Sequence, residues 1–205
     1  MNNLNLSGVN FPPIGTTSVL FAENFEGNGY TISNLAGNDK HLFRNVASGG
    51  TIKNVMVSNA NITTAQTTAD MAILVLNNKG TIENCYVQGR ITAPTVDNIG
   101  YGKGGIAATN DGTIKNCFVN VILTGRHRLA GIVGKNFGTV EKCYSTGQIL
   151  GRGQINGGIV GQNNSVVRNC VNIMPVITGL HSSENYGTYR VYSYQGTGSN
   201  NYSLN

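Results

Sequence analysis

The residues that could carry out catalysis are few and widely spaced in this chain. Its 205 residues include nine carboxylates, three histidines and four cysteines. Cleavage of a polysaccharide needs paired carboxylates, or a carboxylate-bound cation with a basic residue nearby. Asp70 and Asp97, in variable loops of neighbouring repeats, are the one pair worth testing, and His41, His127 and His181 match no HExxH zinc motif. We therefore expect no catalytic site, no metal site and no cofactor.

The cysteines all occupy one position of a repeated sequence. They are separated by 32, 26 and 27 residues, at Cys85, Cys117, Cys143 and Cys170. This spacing lacks the CxxC pairs of a zinc site. If the repeats stack, neighbouring cysteines are within disulfide reach, but their side chains run alongside one another rather than converging. Reduced, buried thiols are therefore favoured over disulfides.

Internal repetition leads to the fold prediction. The string GTIKNVMV of residues 50–57 returns as GTIENCYV (80–87), GTIKNCFV (112–119), GTVEKCYS (138–145) and SVVRNCVN (165–172). We interpret YTISNL, which ends at Leu35, as an earlier copy, and GTGSNNYS, which contains Asn201, as a later one. A short apolar run closed by Asn, such as GGIAATNDG, precedes four of the copies. Repeat periods of this length are typical of solenoids.

Composition and repeat length together predict an all-β fold. The chain has 28 Gly and 11% charged residues, and no unit contains a helix-length stretch of 3.6-residue period. Each unit supplies three short strands, and units this short must stack to bury a core. We predict a right-handed parallel β-helix of about seven rungs, with three strands per rung, as a single domain over 1–205. It comprises an opening rung (1–35), repeats (36–185) and a Tyr-rich terminal rung or cap (186–205).

In a stacked solenoid, each repeat position becomes a column along the molecule. The residue after the Ile of GTI alternates in charge, which favours an exposed register-setting ladder over a charged binding stripe. The members of this column are Lys53, Glu83, Lys115, Glu141 and Arg168. The next column is rich in Asn, which tolerates left-handed backbone angles and therefore suits a bend. Its members are Asn34, Asn54, Asn84, Asn116, Lys142, Asn169 and Asn200.

Aromatic side chains mark two further features. The column after the cysteines faces outward if the cysteines face inward, and the sequence favours its packing in the core or at the core's edge. This column contains Met56, Tyr86, Phe118, Tyr144 and Val171. A second group near the end of the chain could bind a sugar or a protein, although capping the open core is favoured. The candidate ligand-binding residues there are Tyr186, Tyr189, Arg190, Tyr192 and Tyr194.

The repeat pattern also resembles a known family. The pattern GGIVGxNxGTIxNCYSTG, at 104–119, 130–147 and 157–162, resembles the GLUG repeat of bacterial surface and secreted proteins. Some of those proteins are immunoglobulin A1 protease-like and others adhesin-like. The pattern is weaker at MAILVLNNKG, which lacks the glycines, and at 165–166, where GT is lost. The resemblance implies a location at the cell surface or outside the cell. Because no catalytic pattern is present, we predict a non-catalytic module that acts as a rigid spacer or an adhesive surface.

Charge and hydropathy narrow the range of partners. The net charge is +5, but Arg126, His127 and Arg128 form the one tight basic group, so we expect no nucleic acid. No apolar run approaches the length of a membrane helix, and we recognise no signal peptide. We expect the partner to be a host glycan or a protein. We also expect this chain to be part of a larger polypeptide. Two alternatives stay open: a polysaccharide lyase or hydrolase, and an ancillary domain of an immunoglobulin A1 protease-like peptidase.

Overall fold

The strands of this protein stack into a parallel β-solenoid of about seven turns. The computed structural model describes residues 2–96, 100–180, 187–193 and 196–203. No helix occurs among these residues, and hence none that could cross a membrane. The predicted all-β solenoid is therefore confirmed.

In the described residues, the strands form four parallel sheets. Sheet 1 contains Leu4–Asn5, Thr31–Ser33, Ala36–Asn38, Met56–Thr63, Tyr86–Thr92, Phe118–Gly125, Tyr144–Gly151, Val171–Asn172, Val176–Thr178 and Tyr202–Ser203. Sheet 2 contains Asn24–Glu26, Thr51–Lys53, Thr81–Glu83, Thr113–Lys115, Thr139–Glu141, Val166–Arg168 and Thr197–Ser199. Sheet 3 contains Met71–Ala72, Lys103–Gly104, Leu129–Ala130, Asn156–Gly157 and Thr188–Tyr189. Sheet 4 contains Phe43–Val46, Val75–Asn78, Ala107–Asn110, Val133–Asn136, Val160–Asn163 and Tyr192–Ser193.

A central turn contains four strands rather than the predicted three. The chain passes through sheets 3, 4, 2 and 1 in that order, for example from Lys103–Gly104 to Phe118–Gly125. The apolar run GGIAATN, interpreted as one strand, is divided between Lys103–Gly104 and Ala107–Asn110. The bend at Gly105 needs glycine, because a Cβ there would lie 2.5 Å from the carbonyl oxygen of Gly131.

A ladder of buried asparagines lies at the corner between sheets 4 and 2. The Nδ2 of each of the first three asparagines donates to the Oδ1 of the next Asn at 2.8 to 2.9 Å, and also to the carbonyl oxygen two residues further along its own chain. All four amides are fully buried, at Asn78, Asn110, Asn136 and Asn163. These residues are the Asn that closes each apolar run. The ladder satisfies polar groups that would otherwise be left unpaired inside the core.

The glycines of the GTI strings are required by the same corner. A Cβ at Gly80 would lie 2.1 Å from the Gly50 carbonyl oxygen, and Gly112 and Gly138 repeat this approach to the glycine of the preceding turn. No side chain fits at that distance. The corner therefore repeats once per turn with the same backbone path.

The exposed Asn column forms the bend between sheets 2 and 1. Asn54, Asn84, Asn116 and Asn169 have φ between 53° and 55°, the left-handed region. Lys142 and Asn200 adopt the same conformation at their turns, with φ of 52°. Because this bend interrupts the strand alternation, the Ile or Val before it and the Cys after it both point into the core.

Asn34 does not belong to this column, which corrects the predicted alignment of YTISNL. Thr31–Ser33 pairs with Met56, Val57 and Ser58 in sheet 1, and Asn59 Nδ2 donates to Asn34 Oδ1. The sheet 2 strand of that turn is Asn24–Glu26, which pairs with Thr51–Lys53. The prediction failed because the string TIS is similar to GTI, whereas the actual sheet 2 strand, NFE at Asn24–Glu26, has no such similarity.

We expect the substitution Asn136→Ala to lower the free energy of unfolding by about 3 kcal/mol or more, because it leaves buried partners unpaired. Asn110 Nδ2 and the Gly138 amide both donate to Asn136 Oδ1. The control is Asn164→Ala, which removes an exposed amide at the same corner and should change stability little. Urea unfolding at constant m-value measures both. Equal effects of the two substitutions would contradict a stabilising role for the ladder.

Candidate ligand-binding site

The two columns after the bend differ in which way they face. The four cysteines are buried, at no more than 2% exposure, so they point into the core. The column that follows therefore points outward from sheet 1, and Met56 is 37% exposed while Tyr86, Phe118 and Tyr144 are half-buried. Of the two placements that the sequence favoured, in the core or at its edge, the core placement is wrong, because the half-buried rings lie on the outer side of the sheet. The reason is that the bend at the preceding Asn allows Ile and Cys to face inward on either side of it.

The four thiols are free and lie side by side in the core. Each Sγ lies 3.2 to 3.3 Å from the carbonyl oxygen two residues earlier, to which it donates. Burial raises the pKa of the Cys143 thiol, and the neighbouring Cys117 thiol together with burial raises the pKa of Cys85. Cys85 and Cys143 should therefore react poorly with electrophiles, because little thiolate is present. The hydrogen bond with the Cys143 side chain instead lowers the pKa of Cys170, whose burial still restricts access to it.

The charged column forms an exposed ladder on sheet 2. Glu83 lies between Lys53 and Lys115, with N–O distances of 3.5 and 3.3 Å, and Arg168 contacts Glu141 at 2.6 Å. Glu26 pairs in register with Lys53, so the column begins one turn earlier than the sequence indicated. The backbone amide of Asn28 and the side chain of Asn54 lower the pKa of Glu26. The ladder therefore alternates in sign through six consecutive turns.

The outer face of sheet 1 carries a column of aromatic rings in three successive turns. Tyr86 and Phe118 stack with ring centroids 5.0 Å apart, and Phe118 and Tyr144 follow at 4.8 Å. The column ends at Tyr202, which is 66% exposed. Since neighbouring rings face one another along the solenoid axis, mainly their edges line the outer surface. Such a strip contributes apolar contact area and stabilises the turns against each other.

A shallow polar groove of about 370 Å³ lies beside this aromatic column. Its lining includes Asn59, Asn61, Gln88, Arg90 and Ile122. A β-bulge shapes it, because Ser58 and Asn59 together lie opposite Gln88 where the register shifts. Asn59 has φ of 52°, and its backbone amide donates to Gln88 Oε1 at 2.7 Å. The bulge thus turns an extra amide side chain toward the groove.

The carboxylate pair suggested by the sequence is not shown by the structure. Asp70 accepts the backbone amide of Gly102 at 2.6 Å and forms an ion pair with Lys135 at 3.0 Å, which ties two loops to sheet 4. Asp97 lies outside the described residues. Among the residues the structure describes, no group of three or more His, Cys, Asp or Glu could hold a metal ion.

The histidines have separate surroundings. Burial, followed by the Arg44 charge, lowers the pKa of His41 to about 4. His127 Nδ1 accepts the backbone amide of Gln154 at 2.9 Å. His181 lies outside the described residues. Neither described histidine lines the sheet 1 groove.

Of the four candidate tyrosines near the end of the chain, the structure describes Tyr189 and Tyr192. Tyr192 packs against the core, and the ring lies so close to Gly198 that a Cβ there would collide with it. Tyr189 lies in the strand that pairs with Asn156–Gly157, and Arg190 Nη1 donates to the Met174 carbonyl oxygen at 2.7 Å. Tyr186 and Tyr194 lie outside the described residues. The described members therefore contribute to the closing turn.

The sequence contained a partial signal for the groove. Gln88 and Arg90 directly follow the aromatic column in GTIENCYVQGR, and strand alternation places them on its face once the parity is known. Asn59 could not be found in this way, because a bulge leaves no repeating pattern in one sequence.

Comparisons with known proteins show the fold. No protein-family model matches the chain, and no curated protein matches it. Among solved structures, it is similar to a protein described as a "putative immunoglobulin A1 protease" from Bacteroides ovatus, with a TM-score of 0.68 and 20% sequence identity. The similarity covers 98% of this chain, which spans about two thirds (66%) of the length of that protein.

We expect the four thiols to resist alkylation in the folded protein and to react completely after unfolding, because all four are buried. Mass spectrometry after treatment with iodoacetamide measures the number of labels. An Asn120→Cys variant, with its new thiol exposed on sheet 1, should gain one label while folded. A Cys117–Cys143 disulfide, or labelling of the native wild-type protein, would contradict this.

We expect Tyr192→Ser to lower the melting temperature, with a loss of about 2 kcal/mol, because it uncovers apolar surface at the last turn. The same substitution at exposed Tyr202 is the control and should leave the melting temperature nearly unchanged. Thermal unfolding followed by circular dichroism compares the two. An unaltered melting temperature for Tyr192→Ser would argue against a capping role.

Proposed function

We propose that this chain is a non-catalytic binding module whose solenoid holds a glycan-binding surface on the outer face of sheet 1. The observation that carries the proposal is the groove lined by Asn59, Asn61, Gln88 and Arg90, directly beside the outward-facing aromatic column. The module combines the two roles expected from the sequence, because a rigid rod is also a suitable scaffold for an adhesive surface.

The chemistry of the groove suits hydroxyl groups. Asn and Gln amides each offer both donors and an acceptor, and a guanidinium offers a planar fork of donors. Ile122 and Ala60 in the lining add apolar surface for the C–H faces of a sugar. Arg90 is the charged side chain in the groove lining, so glycans that carry a carboxylate are the favoured ligands.

The groove is held in shape before a ligand arrives. Asn34 Nδ2 donates to Asn5 Oδ1, Asn59 Nδ2 donates to Asn34 Oδ1, and the Asn59 amide donates to Gln88. This relay crosses successive turns of sheet 1. Because the side chains lose little further freedom on binding, more of the contact energy remains as affinity.

The GLUG-like pattern supports a location at the bacterial cell surface or outside the cell. The description of the solved relative as an immunoglobulin A1 protease favours a second candidate function, an ancillary domain of an immunoglobulin A1 protease-like peptidase. In that case, the same groove would recognise the glycans of a glycoprotein substrate. The two functions differ in the rest of the polypeptide and not in the role of this module.

A glycan array with neutral and carboxylated glycans tests the proposal. We expect the full chain to bind a subset rich in carboxylated glycans, and Arg90→Ala to weaken that binding about tenfold or more, since charge-assisted hydrogen bonds are lost. Asn61→Ala should weaken binding less, because it removes neutral hydrogen bonds. The control is Asn164→Ala, an exposed amide at the corner of sheets 4 and 2.

Two results would contradict this function. One is the lack of any binding by a correctly folded chain across the array. The other is binding that survives Arg90→Ala and Asn61→Ala together, which would place the ligand on a different surface.

A further inference from the structure

The outer face of sheet 2 is bordered by short connections along its central strands. Two-residue turns precede its central strands, as at Lys79 and Gly80, and a two-residue bend follows them, as at Asn84 and Cys85. The long connections join sheet 1 to sheet 3 instead, for example from Thr63 to Met71. Two side-chain columns cover this face, the charge ladder and a column of threonines that includes Thr51, Thr81, Thr113 and Thr139.

The order of the charges on this face has a simple property. From the first turn to the sixth it is Glu26, Lys53, Glu83, Lys115, Glu141 and Arg168. An alternating series with an even number of members becomes its own complement when it is reversed. A second copy laid antiparallel on this face would therefore place an opposite charge against every member of the ladder.

We propose that the outer face of sheet 2 binds the same face of a second copy of this chain, with the two solenoids antiparallel. The two-fold axis runs along the strands and passes between the turns of Glu83 and Lys115. Glu83 of each copy then lies opposite Lys115 of the other, Lys53 opposite Glu141, and Glu26 opposite Arg168. The contact is isologous, so both copies use one surface patch and the assembly closes as a dimer.

The neighbouring corner column agrees with this arrangement. Lys79 and Asp111 are exposed at equivalent positions of the third and fourth turns, the two turns next to the proposed axis. Antiparallel pairing brings Lys79 of one copy opposite Asp111 of the other. In the column at the bend between sheets 2 and 1, Lys142 of one copy lies opposite Asn54 of the other. No like charges therefore meet in these two columns. The ladder itself carries three positive and three negative charges, and the net charge of +5 therefore does not arise from this face.

The size of the face predicts a weak dimer. The six opposed strands, spaced by about 4.8 Å and about four residues wide, give a contact face of about 400 Å² per copy. Stable complexes bury about 800 Å² per partner, so this contact belongs to the small, transient class. Opposed charges at such a surface determine the orientation of the copies more than their affinity, and salt weakens them.

Complementary charge reversals test the dimer in the full chain. E83K alone sets positive charges opposite each other at the axis, and K115E alone sets negative charges opposite each other. We expect wild-type protein to self-associate at high concentration and low salt, and each variant alone to lose that association. An equimolar mixture of the two variants should regain it, because every opposed pair again has opposite sign. Sedimentation velocity measures all four samples.

Controls separate folding from association. Circular dichroism checks that each variant folds, and R152E, with the same charge change on an exposed loop away from sheet 2, should associate like wild type. If E83K or K115E does not fold, K79D and D111K provide a second complementary pair outside the ion-pair ladder. A monomeric wild type, or a mixture that fails to associate, would overturn the proposal, as would self-association of the single variants at wild-type strength.

Discussion

Each turn of this solenoid must repeat the backbone path of the turn before it, because the hydrogen bonds of all four sheets join one turn to the next. The corner between sheets 4 and 2 enforces this most strictly. There, a buried Asn bonds to its copies above and below, and a glycine allows the chain to approach the preceding turn within contact distance. The polar groups of the corner are satisfied when the turns are in register. The flat faces of the molecule, and the regular columns on them, follow from this one requirement.

Much of the fold could be predicted from the sequence for the same reason. A strict register produces a repeated string: GTI or a variant of it marks the sheet 2 strand in five successive turns, and Asn marks the bend in four of them. Prediction failed at TIS, which has the sequence of a sheet 2 strand but lies in sheet 1. It also failed at the Asn59 bulge, a change of backbone path that no repeated string marks. The parity of the Cys and aromatic columns was open because it depends on the angle of the bend. One sequence gives the residue at the bend but not how far it turns the strand.

The solenoid presents surfaces of different chemistry around one core. Sheet 1 combines an aromatic strip with an amide-lined groove, whereas sheet 2 presents a flat face with balanced charge. The long connections between sheets 1 and 3 cover a third side, where Asp70 and Lys135 fasten the loops. Because each surface occupies its own side, substitutions on one sheet leave the outward residues of another in place. A single small core can thus support several independent contacts.

The alternating ladder also restricts how such a chain can grow. Duplication of the segment from one corner glycine to the next would supply a complete turn, since both ends of the segment have the same backbone path. Adding one turn to the middle of the ladder, however, would make two neighbours of equal charge, whereas adding two turns would preserve the alternation. The molecule is therefore expected to lengthen more readily by pairs of turns. The number of turns in a protein of this design then has a preferred parity, set by side chains on its surface rather than by its core.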